Sequence, residues 1–570
     1  MTNLAPAQPA HAANRVVAWS IGLLSAACGT VHGAAGDGDL TFNSSGFTTV
    51  AIHATGDTRA QRVRTEPDGK VLLAGTCSAP GVEMPTVFCL TRVLPSGALD
   101  TTFGVGSSPG AGRVITPIGN ANGEGDSLTG LTLQDDGKIV VAGSCERLVG
   151  AGPNTERLFC IARYTSNGVL DSGFNGSGFV ITPSHSTQKY ARGSSLVVQP
   201  DGKLLVGGWC ISATGNVWSL CLVRYLPNGV LDTAGFNASA PIAADRGKVV
   251  FSVGASNNNM FPALAVQTDG RIIAGGTCVG PVQQSPTYCV ARFHSDGSVD
   301  TTWSGATDPN EANITGLVRT LIGYDGRLSS MLIQPDGQIV VVGNCRVSAT
   351  QLVMFCAARL RADGSLDTSF GSNGYAIVPM NSPRYTVVGQ SYGGPYRVAQ
   401  QPDGKLLLAG TCGGTTATMP PLQGSQACML RMHADGSLDA TYFQELQFSP
   451  RSGRTFDAPG IPNSIDDVDL QSDGRIVIAG TWFGGTTPHA EAYVARLVGG
   501  PNNYANCSAD IDGDGRVTTS TDSALLARAA LRFTGSALIQ GLTFASQATR
   551  KTSLSVRDFL FNQCGMRVSP

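Results

Sequence analysis

Three aspartates near the C-terminus alternate with other residues in the segment DIDGDGRVTTSTD. Asp510, Asp512 and Asp514 are each separated by one residue, and a glycine follows at the sixth position. Carboxylates spaced in this way can converge on one hard cation, and the glycine permits the sharp turn of a calcium loop. The backbone carbonyl of Arg516 would be a further oxygen ligand, and so would the hydroxyl of Thr518, directly or through water.

The end of this loop departs from the EF-hand pattern. The twelfth position, where an EF-hand has a bidentate glutamate, holds Thr521, and Asp522 follows it. Asp522 would complete the shell around one Ca²⁺ ion if the loop carries an extra residue. An apolar-periodic helix is predicted next. The alternative is an acidic turn without metal, in which Thr521 or Asp522 caps this helix.

The same segment resembles a dockerin type I module, whose loop ends in an aspartate before a helix. The resemblance implies calcium binding and a cohesin-type partner. The second half of the module, TRKTSLSVRDFLFNQC, retains Asp558 and lacks the alternating acids. This difference argues against cohesin docking.

Cysteines are the second group of residues whose type and spacing indicate a chemical role. The chain has 15 cysteines, and twelve of them fall into six pairs with the same local pattern. One member ends a predicted strand and the other begins the neighbouring strand, so the pairs could meet disulfide geometry at the mouths of hairpins. Metal binding is the alternative, but CxxC spacing and nearby histidines are missing. The predicted disulfides are Cys77–Cys89, Cys145–Cys160, Cys210–Cys221, Cys278–Cys289, Cys345–Cys356, Cys412–Cys428 and, at the ends of the C-terminal segment, Cys507–Cys564.

No catalytic constellation emerges from the sequence. Two GxSxG matches, at Ser108 and Ser391, lie in Gly/Ser-rich loops rather than between a strand and a helix. The seven histidines are scattered, and no set of acids or histidines is expected to interrupt the repeat described below on one rim. We therefore expect a binding or scaffold protein with no catalytic residues. The alternative is an enzyme acting on polysaccharide through an acid pair in a loop.

An internal repeat positions these residues. An Asp-Gly pair between two apolar runs recurs at intervals of 65 to 70 residues, and this pattern is a strong hairpin signal. The seven copies are Asp68-Gly69, Asp136-Gly137, Asp201-Gly202, Asp269-Gly270, Asp336-Gly337, Asp403-Gly404 and Asp473-Gly474. In the seventh copy, Trp482 and Tyr493 take the places of the cysteines, which suggests a cross-strand aromatic lock.

Each unit is predicted to contain four strands; in the sixth these begin at Gly374, Arg397, Lys405 and Cys428. Seven such units can stack around an axis, so we predict an all-β, seven-bladed β-propeller of four-stranded blades, with a linear β-solenoid as the alternative. QPDGKLLLAG and ADGSLDTSFGSNG closely resemble the delta-60 repeat, a bacterial propeller repeat, over residues 38–499. The resemblance implies a propeller in exported proteins and no particular substrate.

The ends of the repeat array predict a closed ring. Six copies carry an arginine and, eight residues later, an aspartate, whereas Arg496 of the seventh copy has no such aspartate after it. Asp39 and Phe42, at the start of the array, match the missing half. The repeated arginines and aspartates could form a ligand site, but repetition in every copy favours a structural joint.

The chain begins with an export signal in which Arg15 precedes a short apolar run. A lipidated Cys28 is the alternative to simple secretion. We predict a signal peptide at 1–35, the propeller at 36–499, a linker at 500–506 and a dockerin-like calcium module at 507–570. No later segment is apolar enough to span a membrane.

The formal net charge of −2 suggests no nucleic acid partner. We expect a monomer that binds a protein or glycan ligand, presented by loops such as 390–396.

Overall fold

A computed structural model describes most of the repeat array and parts of the C-terminal segment. The described residues are 38–39, 41–52, 56–78, 86–107, 109–119, 125–148, 155–185, 190–211, 217–253, 259–279, 285–303, 314–348, 353–378, 394–415, 423–439, 442, 461–462, 464–483, 489–499, 511–512, 518, 520–530, 539–546, 548, 551 and 556. The predicted leader and the predicted linker lie outside these residues.

The described strands form seven antiparallel sheets, and each sheet is one blade of a β-propeller. The inner strands are β2 (Thr58–Thr65), β7 (Ser127–Leu133), β11 (Ala191–Val198), β15 (Met260–Val266), β19 (Asp325–Ile333), β23 (Gly394–Gln400) and β27 (Asp467–Leu470). Each inner strand contacts the inner strand of the next blade, and β27 contacts β2. The predicted seven-bladed all-β fold is therefore confirmed, and the array is a closed ring rather than a linear stack.

The other strands follow outward from the axis. The second strands are β3 (Val71–Ser78), β8 (Ile139–Leu148), β12 (Leu204–Ile211), β16 (Ile272–Val279), β20 (Ile339–Arg346), β24 (Leu406–Thr415) and β28 (Ile476–Phe483). The third strands are β4 (Thr86–Val93), β9 (Thr155–Tyr164), β13 (Trp218–Tyr225), β17 (Pro286–Phe293), β21 (Met354–Leu360), β25 (Gln423–Met432) and β29 (Glu491–Leu497). The outer strands are β6 (Arg113–Thr116), β10 (Phe179–Thr182), β14 (Lys248–Phe251), β18 (Leu317–Thr320), β22 (Tyr375–Val378) and β1 (Phe47–Val50).

Short elements complete the described part. They are β5 (Pro109–Gly110), β26 (Ile461–Pro462), a 3-10 turn at Ala243–Asp245 and the helix α1 (Asp522–Ala530). Within the described part, blade 6 shows three strands.

The second strands are buried on both faces because a blade packs on each side of them. All but the last residue of β3, VLLAGTCS, is buried. One core cluster joins Leu72 and Leu90 of blade 1 to Leu131 and Val141 of blade 2. This two-sided burial explains why these strands read as nearly continuous apolar runs.

The boundaries of the blades differ from those of the predicted units. The sequence predicts that the strand GYAIV, from Gly374, begins the sixth unit, but β22 pairs with β21 of the fifth blade, with Ala357 opposite Ala376. A repeat has the same period wherever its unit is taken to begin, so periodicity does not reveal which sheet a strand joins. As a consequence, the cysteine pairs flank the loop between the second and third strands, and the arginines lie on the third strand.

Disulfides lock five of the blades at the mouth of this loop. They are Cys77–Cys89, Cys145–Cys160, Cys210–Cys221, Cys278–Cys289 and Cys345–Cys356, with Cα–Cα distances of 5.7–5.9 Å. Cys428 of blade 6 is also disulfide-bonded. The side chain of Cys412 lies outside the described part, as do Cys507 and Cys564.

Aromatic residues occupy the corresponding place in blade 7. The ring of Phe47, on the outer strand β1, lies 5.1 Å from the ring of Trp482 and 5.6 Å from that of Tyr493. The two residues predicted as a cross-strand lock therefore form a cluster with a third ring from the N-terminal strand.

The repeated arginine joins each blade to the next. Its Nε donates to an aspartate Oδ2 in Arg92–Asp100 (2.8 Å), Arg163–Asp171 (2.8 Å), Arg224–Asp232 (2.9 Å), Arg292–Asp300 (2.8 Å), Arg359–Asp367 (2.7 Å), Arg431–Asp439 (2.9 Å) and Arg496–Asp39 (2.8 Å). Each guanidinium also lies over an aromatic ring and donates to a backbone carbonyl of the following blade, as Arg92 does to Ser166 O at 2.7 Å. These residues form a structural joint.

Candidate functional site in the axial channel

Charged residues interrupt the repeat where the inner strands face the axis. One position of the inner strand lies six residues before the aspartate of the Asp-Gly turn. In blades 2 to 5 this position holds Gly130, Ser195, Ala263 and Ser330. Blades 6, 7 and 1, which adjoin one another around the ring, hold Arg397, Asp467 and Arg62 at this position. This interruption consists of two arginines and one aspartate and lies inside the channel, whereas the expectation from the sequence concerns acids or histidines on one rim.

A β-bulge in the inner strand turns two consecutive residues towards the axis. The register of β2 against β3 shifts between Ala60 and Arg62, and five other inner strands shift at the equivalent place. Both Gln61 and Arg62 consequently line the channel, as do Tyr396 and Arg397 in blade 6. Bulges are known to redirect side chains beside functional sites in this way.

A glycine of the second strand makes room for the bulge. A Cβ atom on Gly208 would lie 1.9 Å from the carbonyl oxygen of Arg192, and one on Gly75 would lie 1.8 Å from that of Arg59. This contact accounts for the glycine two residues before the first cysteine of each pair. The repeat motif thus encodes the bulge, and the bulge aims the residues of the channel.

The channel contains two adjoining cavities. An entrance cavity of about 310 Å³ is lined by residues of all seven blades, among them Gln61, Arg62, Trp209, Arg327, Tyr396 and Asp466. A deeper cavity of about 360 Å³ is lined by Arg62, Arg64, Arg397, Asp467 and Asp469, together with small and apolar residues. The two cavities share Arg62, Thr129, Pro262 and Arg397.

Ion pairs hold most of the charges of the deeper cavity. Asp467 is buried, and it accepts hydrogen bonds from the backbone N–H of Val63 at 3.0 Å and from Arg64 Nη1 at 3.1 Å. Its other oxygen pairs with Arg397 Nε at 3.2 Å. Asp469 accepts from the backbone N–H of Thr65 at 2.7 Å. This network joins blades 6, 7 and 1 across the closure of the ring.

Enclosure in the channel changes the titration of these groups. Burial raises the pKa of Asp466 and of Asp469 above the ordinary value for a carboxyl group. Burial lowers the pKa of Arg62 to about 9, and the like charge of Arg397 adds to this shift. Arg62 is therefore still charged at neutral pH. Burial also lowers the pKa of Arg397.

Two arginines of the entrance cavity form no ion pair within 4.0 Å in the described part of the chain, although Asp466 and Asp467 attract Arg62 at longer range. Arg62 donates to backbone carbonyls, those of Gln61 at 2.5 Å and Ser194 at 3.4 Å. Neither Arg62 nor Arg327 has a described carboxylate within 4.0 Å. Both guanidinium groups can therefore accept an anionic ligand.

The predicted calcium loop is described in part. Asp522 begins α1, and its Oδ1 accepts from the backbone N–H of Ile511 at 2.6 Å and of Asp512 at 3.1 Å. Its Oδ2 accepts from the backbone N–H and the hydroxyl of Thr518, at 2.7 and 3.1 Å. Asp512, Thr518 and Asp522 are thus brought together, with Asp522 closing the loop by hydrogen bonds. Asp510, Asp514 and Arg516 lie outside the described residues.

Among the other sequence candidates that the structure describes, one residue lies in the channel. Ser108 and Ser391 lie outside the described residues. Tyr396, the last residue of the predicted ligand-presenting loop 390–396, lines the entrance cavity. In the part of the chain that the structure describes, no group of three or more His, Cys, Asp or Glu residues could hold a metal ion. No helix among the described residues has the length and apolar character needed to cross a membrane.

Six segments of the chain match a family model described as a β-propeller domain of unknown function, DUF5122. They are 66–103, 134–174, 199–234, 267–302, 334–370 and 401–442. Each segment runs from the inner hairpin through the third strand to the turn that follows it, and the match supports a repeat β-propeller. The corresponding seventh segment is divided between the two ends of the array.

Several solved structures match the chain at low identity and low TM-score. No curated protein sequence matches the chain. A protein of unknown function from Dyadobacter fermentans is 11% identical, with 79% of this chain and 98% of that chain covered and a TM-score of 0.35. The polysaccharide lyase Uly1 is 10% identical, with 78% and 90% covered and a TM-score of 0.37. The propeller domain of the Trilobed protease from Pyrococcus furiosus is also 10% identical, with 77% and 95% covered and a TM-score of 0.36. At this level of similarity none of them bears on the function of this chain.

Proposed function

We propose that this protein is a secreted, non-catalytic binding propeller whose ligand enters the axial channel. The observation that carries the proposal is the interruption of the repeat by Arg62, Arg397 and Asp467. Blades 2 to 5 have small or apolar residues at this position, so a blade does not need a charge there. Enclosed charges cost free energy unless they are paired. Arg397 and Asp467 pair with each other, whereas Arg62 forms no described ion pair within 4.0 Å, so its presence in the channel is best explained by an anionic ligand.

Secretion is supported by the five described disulfides, since such bonds persist in oxidising compartments. The propeller supplies a rigid frame, and the bulges hold the channel residues in fixed directions. The partner is a protein or glycan ligand that reaches a monomeric propeller from one end of the channel.

The C-terminal segment is proposed to be a calcium-stabilised module. Asp512 and Asp522 are both buried, and the Thr518 hydroxyl contacts Asp522. Carboxylate and hydroxyl oxygens are the ligands that Ca²⁺ prefers, so these residues fit the ion. Asp522 already accepts four hydrogen bonds, and its contribution is to hold the loop in the shape that the other ligands need.

An enzyme acting on polysaccharide is the second candidate. Asp466 lines the entrance cavity, and its raised pKa is the property of a general acid. Asp467, the adjacent carboxylate, is held in ion pairs with two arginines. Catalysis would require a second free carboxylate beside Asp466, and ion pairing makes Asp467 a poor candidate for that role.

An array of glycans and peptides, probed with the oxidised full chain, tests the binding function. We expect a subset of ligands to bind and Arg62→Ser to weaken them, since serine is the residue at the equivalent position of blade 3. Arg59→Ser is the matched control, because Arg59 is exposed and lies near Asp57. Equal binding by the parent and the Arg62→Ser variant would place the ligand elsewhere. Release of shorter fragments from a bound polysaccharide would favour the enzyme.

A further inference from the structure

The entrance cavity has an excess of positive charge. Three arginines line it, Arg62, Arg327 and Arg397, against one aspartate, Asp466. Arg397 pairs with Asp467, but the other two arginines form no described ion pair within 4.0 Å. A raised pKa makes Asp466 easier to protonate, which reduces the opposing charge further. The cavity is therefore complementary to an anion, although the whole chain carries a formal net charge of −2.

The cavity also offers a buried hydrogen-bond acceptor. The amide oxygen of Gln61 is buried and has no hydrogen-bond partner among the described residues. A buried acceptor without a donor is destabilising, and a donor from a ligand would relieve this cost. Because Gln61 lies next to Arg62 on the bulge, a ligand that donates from a hydroxyl close to its anionic group would satisfy both residues.

Apolar surface forms the rest of the entrance. Tyr396 and Met260 are 41% and 40% exposed, and Trp209 is half-buried. Aromatic faces pack against the C–H faces of rings, so Tyr396 and Trp209 can hold the ring of a ligand. The volume of about 310 Å³ is at the lower end of the usual range for small-molecule sites. It suits one or two small rings rather than a folded partner.

We propose that the entrance cavity binds a sugar acid, with its carboxylate on Arg62 and Arg327, a hydroxyl on Gln61 and its ring against Tyr396 and Trp209. This inference rests on the proposed binding function and names the ligand class. The fork of the arginine guanidinium matches the two oxygens of a carboxylate. A free uronic acid and the end of an anionic polysaccharide carry the same chemistry.

Calorimetry on the oxidised full chain tests this assignment. The probes are glucuronic acid, galacturonic acid, a short oligogalacturonide, glucose, glucose 6-sulfate and acetate. We expect the sugar acids to bind at least tenfold more tightly than glucose, glucose 6-sulfate and acetate. Tighter binding of the oligomer than of the monomers would identify the polysaccharide as the source, and equal binding would identify the free acid.

Substitutions test whether the binding heat comes from a ligand in the entrance cavity. Arg327→Gln should weaken sugar-acid binding by about tenfold to a hundredfold, because it removes a charge-assisted hydrogen bond. Gln61→Met should weaken it less and leave acetate binding unchanged. Arg59→Gln, at the equivalent strand position of blade 1 and outside the cavity, should bind like the parent. Melting temperatures verify that each variant is folded.

Three results would overturn the inference. They are equal affinity for glucose and glucuronic acid, equal affinity for the sulfate ester, and an Arg327→Gln variant that binds like the parent. If another ligand class on the array binds and is lost in Arg62→Ser, the binding function stands while the sugar-acid assignment fails. If no probe and no array ligand binds, both fail.

Discussion

Arg496 and Asp39 form an ion pair although they are 457 residues apart, with Arg496 Nε donating to Asp39 Oδ2 at 2.8 Å. The same guanidinium lies over the ring of Phe42 and donates to Pro95 O of blade 1 at 2.8 Å. In the other six joints the aspartate lies eight residues after its arginine. One side chain thus ties the N-terminal segment, the last blade and the first blade together.

Loss of this pair should weaken the whole propeller. Asp39→Asn leaves Arg496 and Arg475, whose Nε lies 2.7 Å from Asp39, without their shared carboxylate. Breaking a buried pair costs about 3–5 kcal/mol, and the melting temperature should fall accordingly. Asp171→Asn is the control, since it breaks a joint that does not close the ring. Deletion of residues 36–45 should lower the melting temperature more than either substitution. If the two substitutions lower it equally, the closure has no special role.

The joints should also make the propeller sensitive to acid. Burial alone would raise the pKa of Asp39, Asp100, Asp300 and Asp367, but hydrogen bonds from a nearby threonine or serine and the arginine charge outweigh burial and lower each pKa. Because the folded pKa lies below the ordinary 3.8, this stabilisation is complete above that pH and is lost as the pH falls below it. Melting temperatures between about pH 2 and pH 6 should show the loss. The Asp39→Asn variant should have a shallower pH dependence, and an unchanged slope would argue against this cause.

The disulfides should contribute substantially to stability. Each described bond closes a loop of 11 to 15 residues, for which chain entropy suggests about 3 kcal/mol. Replacing Cys278 and Cys289 together by serine should lower the melting temperature, and a reductant should lower it further. Thiol labelling of the denatured, unreduced protein should find almost no free thiol. Labelling at six or more sites would show that the pairs are not oxidised.

Two adjacent glycines of β12 should respond differently to alanine. A Cβ atom on Gly208 would lie 1.9 Å from the backbone oxygen of Arg192, which cannot move without unmaking the bulge. A Cβ atom on Gly207 would meet flexible ends of Leu222 and Leu264 at 3.3 Å. Gly208→Ala should therefore cost more than about 3 kcal/mol and Gly207→Ala about 1 kcal/mol or less. Denaturant unfolding measures both, and equal costs would contradict the bulge as the reason for this glycine.

Much of the fold could be predicted from the sequence because its determinants are repeated. The Asp-Gly turns, the apolar runs and the paired cysteines each recur with the period, and Asp39 was recognisable as the missing partner of Arg496. The blade boundaries could not be predicted, because pairing of β22 with β21 depends on packing and leaves the period unchanged.

The channel charges were missed for the opposite reason. Arg62, Arg397 and Asp467 are departures from the repeat, and a search for what the copies share overlooks them. Alignment of the copies on the Asp-Gly turn, followed by inspection of each inner-strand position, would have revealed them. The bulge that makes two neighbouring residues face the axis has no simple sequence signal except the glycine that accommodates it.

Calcium binding should distinguish Asp512, as a ligand of the ion, from Asp522, as a residue that shapes the loop. Calcium added to the oxidised full chain should give binding heat with a Kd of about 10⁻⁴ to 10⁻³ M, the usual range for extracellular calcium-binding modules. It should stabilise the C-terminal segment by mass action and leave the melting of the propeller unchanged. Asp512→Ala should abolish this heat, because a carboxylate ligand is lost.

Asp522→Ala should act differently. Its carboxylate accepts hydrogen bonds from Ile511, Asp512 and Thr518, so its loss should raise amide hydrogen exchange at these residues even without calcium. Asp512→Ala should raise exchange much less in the absence of the ion. If the parent gives no calcium-binding heat and only Asp522→Ala shows fast amide hydrogen exchange, the role of the loop is to cap the helix. Heat that survives in Asp512→Ala would place the ion elsewhere. If Asp522→Ala loses the heat but keeps parental exchange without calcium, then Asp522 is itself a ligand.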